Sequence, residues 1–196
     1  NACGTSPQQT LSVTVNPLDN SGFSYSAGTF CQTGPDPTPT VTGLAGGTFS
    51  STAGLVINAS TGTIDLSASA LATYTVTYTT NGACPTSSTF DVTVTLAPLA
   101  DFSYAGPYCQ TGTNPTPTFV VGASAGIFSS TAGLIFVSTS TGEVDLGAST
   151  PGVYTVTNDI AASGGCASAT AIATITIDTA ATVNAGADAS VCSSYT

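Results

Sequence analysis

The 196-residue chain contains no Lys, Arg or His, and its ten carboxylates give it a formal net charge of −10 at pH 7. Such a chain has no cation to offer a phosphate backbone or an anionic lipid surface, so nucleic-acid partners and acidic-membrane binding are disfavoured. Its apolar residues alternate with Thr and Ser and never form the run of ~18 that would span a bilayer. The sequence therefore predicts a soluble β protein without membrane insertion.

The cysteine content indicates the compartment. Six cysteines occur without any His and without a C-x-x-C pair, which fits disulfides far better than a zinc site. We therefore expect an extracellular protein, secreted or on the cell surface.

Taken in chain order, the landmarks define a repeat. Cys31-Gln-Thr-Gly to Cys84 returns as Cys109-Gln-Thr-Gly to Cys166. The alternating stretches at 11–15, 92–96 and 173–177 correspond as last strands. The prediction is a last strand of a preceding repeat at 1–17, complete repeats at 18–98 and 99–178, and the first strand of a following repeat at 179–196.

Within the first repeat, the pattern predicts short strands. Pro37 and Pro39 confine their segment to an edge or irregular strand, because proline lacks an N–H for the ladder. Residues 55–58 and 63–68 form a predicted hairpin across the turn at 60–62, and Asn81-Gly82 predicts a second. In 74–78 the period of two puts Tyr74 and Val76 in the core and the intervening Thr outside, and the same pattern puts Tyr154 and Val156 of the second repeat in the core.

About seven short strands per repeat, without a helical period, predict an all-β fold of tandem immunoglobulin-like β-sandwich repeats of about 80 residues. The stretches Gly54-Leu-Val-Ile-Asn-Ala-Ser-Thr-Gly-Thr-Ile-Asp-Leu and Pro151-Gly-Val-Tyr154 also carry a family pattern. They resemble the signature of bacterial Ig-like and cadherin-like repeats in giant cell-surface or secreted proteins of the Bacteroidota. The resemblance implies stalks, filaments or adhesin shafts rather than an activity.

Two disulfide schemes fit the cysteines. The first closes each repeat on itself, with Cys31 bonded to Cys84 and Cys109 to Cys166, and leaves Cys3 and Cys192 for cysteines elsewhere. We favour it because a repeat that folds alone needs its own cross-link. The rival scheme joins successive repeats through the pairs Cys3–Cys31, Cys84–Cys109 and Cys166–Cys192.

Candidates for chemistry are few. A Ser or Cys nucleophile would lack an ordinary general base, so we expect no catalytic residues and no cofactor. Asp65 and Asp145 recur as single carboxylates, which indicates outward-facing charges. Asp19 and Asp101 lie at the starts of the two repeats, where a calcium ion could bind between domains. A calcium site needs several carboxylates close together, and the sequence has no such cluster, so we expect no metal. Asp178-Thr179-Ala180 matches a Bacteroidota O-glycosylation pattern, which makes Thr179 a candidate acceptor.

The sequence thus predicts the structural shaft of a long extracellular filament or cell-surface adhesin, with a mechanical role and no catalysis. Its expected partners are neighbouring repeats of the same chain and other copies in a fibre. The alternative is a module that binds a surface glycan or a protein through loops at one end of the sandwich. That alternative predicts loops that differ in their aromatic residues between repeats, and the sequence shows only small differences, such as Tyr78 against Asn158.

Overall fold

A computed structural model describes Gly4, residues 9–181 and Gly186. Throughout this part of the chain the regular structure is strand, and no helix could span a membrane. Cys3 and Cys192 lie outside the described residues, as does most of the segment expected to begin a following repeat. The predicted all-β fold class is confirmed.

The chain divides into two compact units. The first comprises Asn1–Ala97 and Ser163–Cys166, and the second comprises Pro98–Ala162 and Ala167–Thr196. The strands of the first are β1 Phe23–Ser24, β2 Thr29–Cys31, β3 Thr40–Val41, β4 Thr48–Ser51, β5 Val56–Ile57, β6 Ile64–Asp65, β7 Thr73–Thr79 and β8 Ser87–Thr95. Those of the second are β9 Phe102–Ser103, β10 Tyr108–Cys109, β11 Thr118–Phe119, β12 Ile127–Ser130, β13 Phe136–Ser138, β14 Glu143–Val144, β15 Gly152–Ile160 and β16 Ala169–Asp178.

Each unit is an Ig-like sandwich in which the opening segment serves two sheets. In the first unit β1 pairs antiparallel with β3, whereas β2 pairs parallel with β8. The larger sheet has the order β2-β8-β7-β4, and β5 pairs with β6. The second unit repeats this topology as β10-β16-β15-β12, β11-β9 and β13-β14. The parallel pair brings each opening segment to the end of the last strand.

The alternation of strand residues builds the core. Tyr74, Val76 and Tyr78 of β7 are buried, as are Val92 and Val94 of β8. The predicted core positions Tyr154 and Val156 of β15 are buried in the same way. The expected inward and outward faces of these strands are therefore confirmed.

Two local expectations differ from the structure. Asn81 and Gly82 do not form a two-residue hairpin turn: residues 80–86 connect β7 and β8, and the Gly82 N–H donates to an Asp19 carboxylate oxygen at 2.9 Å. Residues 9–22 contain no strand, although 11–15 carry the alternation of one. Leu11 and Val15 are about nine-tenths exposed, because no strand within residues 9–181 pairs with that segment.

The register of β7 can be tested with neighbouring substitutions. Val76→Ala should lower the free energy of unfolding by about 1–3 kcal/mol, because it removes buried methyl groups. Thr75→Ala should cost well under about 1 kcal/mol, since Thr75 faces outward and its hydroxyl bonds only to Asp91 at the surface. Denaturant unfolding measures both changes, and equal costs would contradict the register.

Candidate functional site

The cysteines are the most distinctive side chains of the fold. Cys31 and Cys109 end the opening segments, and we call them first-strand cysteines. Cys84 and Cys166 lie between the last two strands of each repeat, and we call them hairpin cysteines. The structure joins Cys31 to Cys166 with an S–S distance of 2.10 Å, across 135 residues of sequence. Cys84 and Cys109 are free thiols.

Neither expected disulfide scheme is present. Cys31 lies opposite Thr95, the last residue of β8, while Cys84 precedes the first residue of that strand. Nine strand residues span roughly 26 Å at the usual rise, whereas a disulfide needs Cα atoms about 4.4–6.8 Å apart. The Cys31–Cys84 pair is therefore excluded by the topology.

The same geometry applies to Cys109 and Cys166, which lie at opposite ends of β16. The rival scheme fails as well, because it assigned Cys31 to Cys3 and Cys166 to Cys192, and the structure bonds Cys31 and Cys166 to each other. The observed bond joins the first-strand cysteine of one repeat to the hairpin cysteine of the next repeat in the sequence.

The repeated Cys-Gln-Thr-Gly motif holds the first-strand cysteine in place. The Gln32 N–H donates to the Thr95 carbonyl at 2.8 Å, and the Gln32 side-chain amide donates to the Ser69 carbonyl at 2.9 Å. The Thr33 hydroxyl lies 3.3 Å from the Cys31 sulfur, and the Gly34 N–H closes a turn on the Cys31 carbonyl at 2.9 Å. The motif is thus a structural cassette that fixes one cysteine.

A tight turn places the hairpin cysteine Cys166 beside the first-strand cysteine Cys31. Ser163 and Cys166 form an isolated antiparallel bridge, and Gly164 and Gly165 between them have φ values of 57° and 73°. Both central residues thus have the left-handed conformation of a type I′ turn. A Cβ on Gly165 would lie 2.6 Å from the Thr29 carbonyl oxygen, so this position requires glycine.

A groove of about 490 Å³ lies beside the bond, lined in part by Phe30, Leu66 and Gly165. Asp36 is its one titratable lining side chain apart from the bonded Cys31. The Asp36 carboxylate already accepts the Leu66 N–H at 3.0 Å. In the second repeat Asn114 accepts the Leu146 N–H at the same distance. Because an amide oxygen accepts the equivalent bond there, this structural role does not require a charged side chain.

The recurring carboxylates also have structural roles. Asp65 accepts the Ala68 N–H at 3.0 Å and the Ser67 hydroxyl at 2.8 Å, and these bonds hold the pKa of its carboxyl below the usual value. Asp145 accepts the Ala148 N–H at 3.0 Å. The expected role as merely outward-facing charges is therefore incomplete, since each carboxylate closes a turn.

The entrance carboxylates do not match as expected. Asp19 accepts hydrogen bonds from the Thr80 hydroxyl and the Gly82 N–H, both at 2.9 Å. At Asp101 the backbone carbonyl, and not the side chain, accepts a hydrogen bond, from the Val120 N–H at 3.2 Å. Among the described residues no group of three or more carboxylates or thiols could hold a metal ion. Thr179 is exposed immediately after β16, and its glycosylation remains a prediction.

Tyr78 of the first repeat and Asn158 of the second occupy corresponding positions, and their difference does not lie in an exposed binding loop. Both side chains are buried, at 1 % and 0 % exposure. The Tyr78 hydroxyl accepts the Gly47 N–H at 2.9 Å and donates to the Leu44 carbonyl at 2.6 Å. Asn158 accepts the Gly126 N–H at 2.7 Å and donates to the Ser124 and Ala100 carbonyls. Two different side chains thus form hydrogen bonds to equivalent loops in the two repeats.

No protein-family model and no curated protein matches the chain. Among solved structures it is similar to mouse cadherin-23 EC22-24, with 11 % identity, a TM-score of 0.30, and coverage of 81 % of this chain and 67 % of that one. It is also similar to human CDH23 EC21-23, with 12 % identity, a TM-score of 0.33, and coverage of 80 % and 63 %.

A third similar structure is a SusE-like surface located polysaccharide binding protein from the Bacteroides thetaiotaomicron heparin utilisation locus. Its identity is 14 % and its TM-score 0.27, and the match covers 73 % of this chain and 31 % of that one.

The equivalence of Asp36 and Asn114 predicts a matched pair of outcomes. Asp36→Asn should leave the free energy of unfolding within about 0.5 kcal/mol of the parent, since an amide oxygen accepts the same bond in the second repeat. Asp36→Ala should cost about 1–2 kcal/mol, because the Leu66 N–H loses its acceptor. Urea unfolding measures both, and Asn114→Ala is the parallel control. A large loss with Asp36→Asn would mean that the charge itself matters.

The observed disulfide predicts a simple map of the oxidised chain. Pepsin is the suitable protease, because trypsin has no Lys or Arg to cleave and low pH suppresses disulfide exchange. Non-reduced peptic digests should contain a Cys31–Cys166 peptide pair, and Cys84 and Cys109 should be alkylated. Recovery of Cys31 joined to Cys84 would contradict the topology.

Proposed function

We propose that the chain is part of the structural shaft of an extracellular filament or cell-surface adhesin, built from Ig-like units in tandem. The observation that carries this proposal is that internal hydrogen bonds of one repeat recur at the corresponding positions of the other. Gln32 and Gln110 each donate a side-chain amide hydrogen to the Ser69 and Ser149 carbonyls, both at 2.9 Å. Repeating the same internal bonds serves a spacer, whereas a dedicated binding site would make one unit differ from the other.

The polar side chains support a mechanical role. Asp19, Asp36 and Asp65 each accept backbone N–H groups that close turns or loops. Tyr25 and Tyr104 each donate a hydroxyl hydrogen to a turn glycine, at Gly62 and Gly142, and burial raises the pKa of both phenols. These groups are engaged in holding strands and turns together, and none is poised for proton transfer to a substrate.

The covalent bond and the charge support an extracellular location. A disulfide persists in an oxidising environment, and the Cys31–Cys166 bond is present here. The chain offers no trypsin-type cleavage site, and its charge of −10 favours repulsion between neighbouring copies in solution. Both properties suit an exposed filament.

The flanking segments support units beyond the two described. Leu11 and Val13 are exposed by 77 % or more, whereas the corresponding Val92 and Val94 of β8 are buried. An alternating apolar face of this kind gains stability only when a sandwich covers it. We therefore propose that 1–17 completes a preceding unit, that 18–98 and 99–178 are repeats, and that 179–196 begins another.

The alternative function, binding of a glycan or protein through end loops, has less support. Sugar-binding surfaces commonly present an amphipathic aromatic ring, and in residues 9–181 every Phe and Tyr is buried or half-buried. The polysaccharide binding named for the similar SusE-like protein belongs to that protein. Thr179 remains the proposed attachment point for a glycan of the chain's own.

Immunogold electron microscopy of intact producing cells tests the shaft function. Antibodies raised against the 196-residue chain should label thin threads along their whole length, because shaft repeats recur along a filament. Pre-absorption with the chain is the control. Label confined to thread tips would favour the binding module, and label absent from threads would overturn the proposal.

A further inference from the structure

The free cysteines occupy the places of the bonded ones. Cys109 is the first-strand cysteine of the second repeat and corresponds to Cys31 of the first. Cys84 is the hairpin cysteine of the first repeat and corresponds to Cys166 of the second. Cys31 and Cys166 are bonded and buried, whereas Cys84 is half-buried and Cys109 is exposed. The chain therefore shows each kind of cysteine position twice, once in a disulfide and once as a free thiol.

The surroundings of Cys109 reproduce those of Cys31. Cys109 lies opposite Asp178 at the end of β16, as Cys31 lies opposite Thr95 at the end of β8. The Gly112 N–H donates to the Cys109 carbonyl at 2.8 Å, and the Thr111 hydroxyl lies 3.3 Å from the sulfur. Hydrogen bonding from Thr111 lowers the pKa of the Cys109 thiol, which raises the fraction of reactive thiolate.

The surroundings of Cys84 resemble those of Cys166. The Cys84 thiol donates to the Asn16 carbonyl at 3.6 Å, and the Cys166 sulfur lies 3.4 Å from the Leu96 carbonyl. Asn16 follows the alternating stretch 11–15, and Leu96 is the last residue of the alternating stretch 92–96; a complete repeat comes after each stretch. Each hairpin cysteine therefore lies beside the end of the alternating stretch that comes before its own repeat.

Strand length decides which cysteines can meet. A first-strand cysteine and the hairpin cysteine of the same repeat lie at opposite ends of the last strand, roughly 26 Å or more apart. The hairpin cysteine of the following repeat is the one that the structure brings to Cys31. Repeating that relation assigns Cys109 to a following repeat and Cys84 to a preceding one.

We propose that Cys109 and Cys84 are the two open ends of a continuous series of disulfides, in which each first-strand cysteine bonds the hairpin cysteine of the next repeat. Cys31–Cys166 is one link of that series. The partner is a cysteine in the same cassette or hairpin, carried by a further repeat of one polypeptide or by a second copy of the chain. The inference rests on the proposed tandem shaft and adds its covalent connectivity.

Formation of each link needs a disulfide oxidant, such as oxidised glutathione. The Cys109 thiolate attacks one glutathione sulfur, breaks the S–S bond and displaces one glutathione thiolate. The hairpin cysteine thiolate then attacks the protein sulfur of the mixed disulfide and displaces the second glutathione thiolate. Two protein thiols are oxidised to one disulfide, one glutathione disulfide is reduced to two thiols, and the two thiol protons pass to solvent or to the departing thiolates.

The test uses the full chain with residues 19–180 duplicated in tandem, so that residue 180 is followed directly by residues 19–196. This joint keeps the natural spacing. Two residues separate Thr95 from Pro98, and two separate Asp178 from Asp19 of the second copy. Cys3→Ser and Cys192→Ser are introduced in this chain and in the unextended control. Both proteins are equilibrated with oxidised and reduced glutathione, alkylated, and digested with pepsin.

The duplicated chain should contain a peptide pair joining Cys109 of the first copy to Cys84 of the second copy. It should then have the same number of alkylatable thiols as the unextended chain, although it carries four more cysteines. Without the new link it would have twice as many. Cys109→Ser in the first copy should release Cys84 of the second for alkylation, while each Cys31–Cys166 pair stays intact and reports that the units remain folded.

The source of the partner is distinguished by the unextended chain at high concentration. A joint that stays open in the duplicated chain, together with Cys109–Cys84 links between separate copies, would assign the partner to a second copy. The proposal would be overturned if the duplicated chain had four alkylatable thiols and the unextended chain stayed monomeric. Symmetric Cys109–Cys109 links would overturn it as well. Threads missing from the cell surface would overturn the shaft function but would leave this thiol count unchanged.

Discussion

The parallel pairing of the opening segment with the end of the last strand is the constraint on which the cysteine connectivity depends. It places Cys31 opposite Thr95 and Cys109 opposite Asp178. The hairpin cysteines lie at the other end of the same long strands, and a strand cannot shorten to bring its ends together. Each repeat is therefore closed by hydrogen bonds and apolar packing, and its own two cysteines do not bond to each other.

Different side chains perform equivalent tasks in the two repeats. A tyrosine hydroxyl and an asparagine amide each tie a loop to the strand below it at positions 78 and 158. A carboxylate and an amide each accept one backbone N–H at positions 36 and 114. What the fold requires at these places is an acceptor or donor at a given point, because an unpaired buried polar group is costly.

Much of the fold could be predicted from the sequence, because alternation fixes which strand residues are buried. The period of two identified Tyr74, Val76, Tyr154 and Val156 as core, and Pro37 and Pro39 correctly marked an irregular segment before β3. Disulfide partners could not be derived from spacing, because contact depends on which ends of strands coincide. The roles of Gln32 and Asp36 were also missed, although the recurrence of Gln in both cassettes was a visible signal.

The sequence distance bridged by Cys31 and Cys166 has a consequence for biogenesis. A chain emerging from its amino end exposes Cys31, Cys84 and Cys109 before Cys166 has appeared. In an unfolded chain, loop closure favours the nearer Cys84 over Cys166 by less than about 1 kcal/mol, so premature bonds compete closely with the native one. Formation of the native bond therefore requires either that the thiols stay reduced until the second hairpin has emerged, or that an isomerase exchanges the early disulfides.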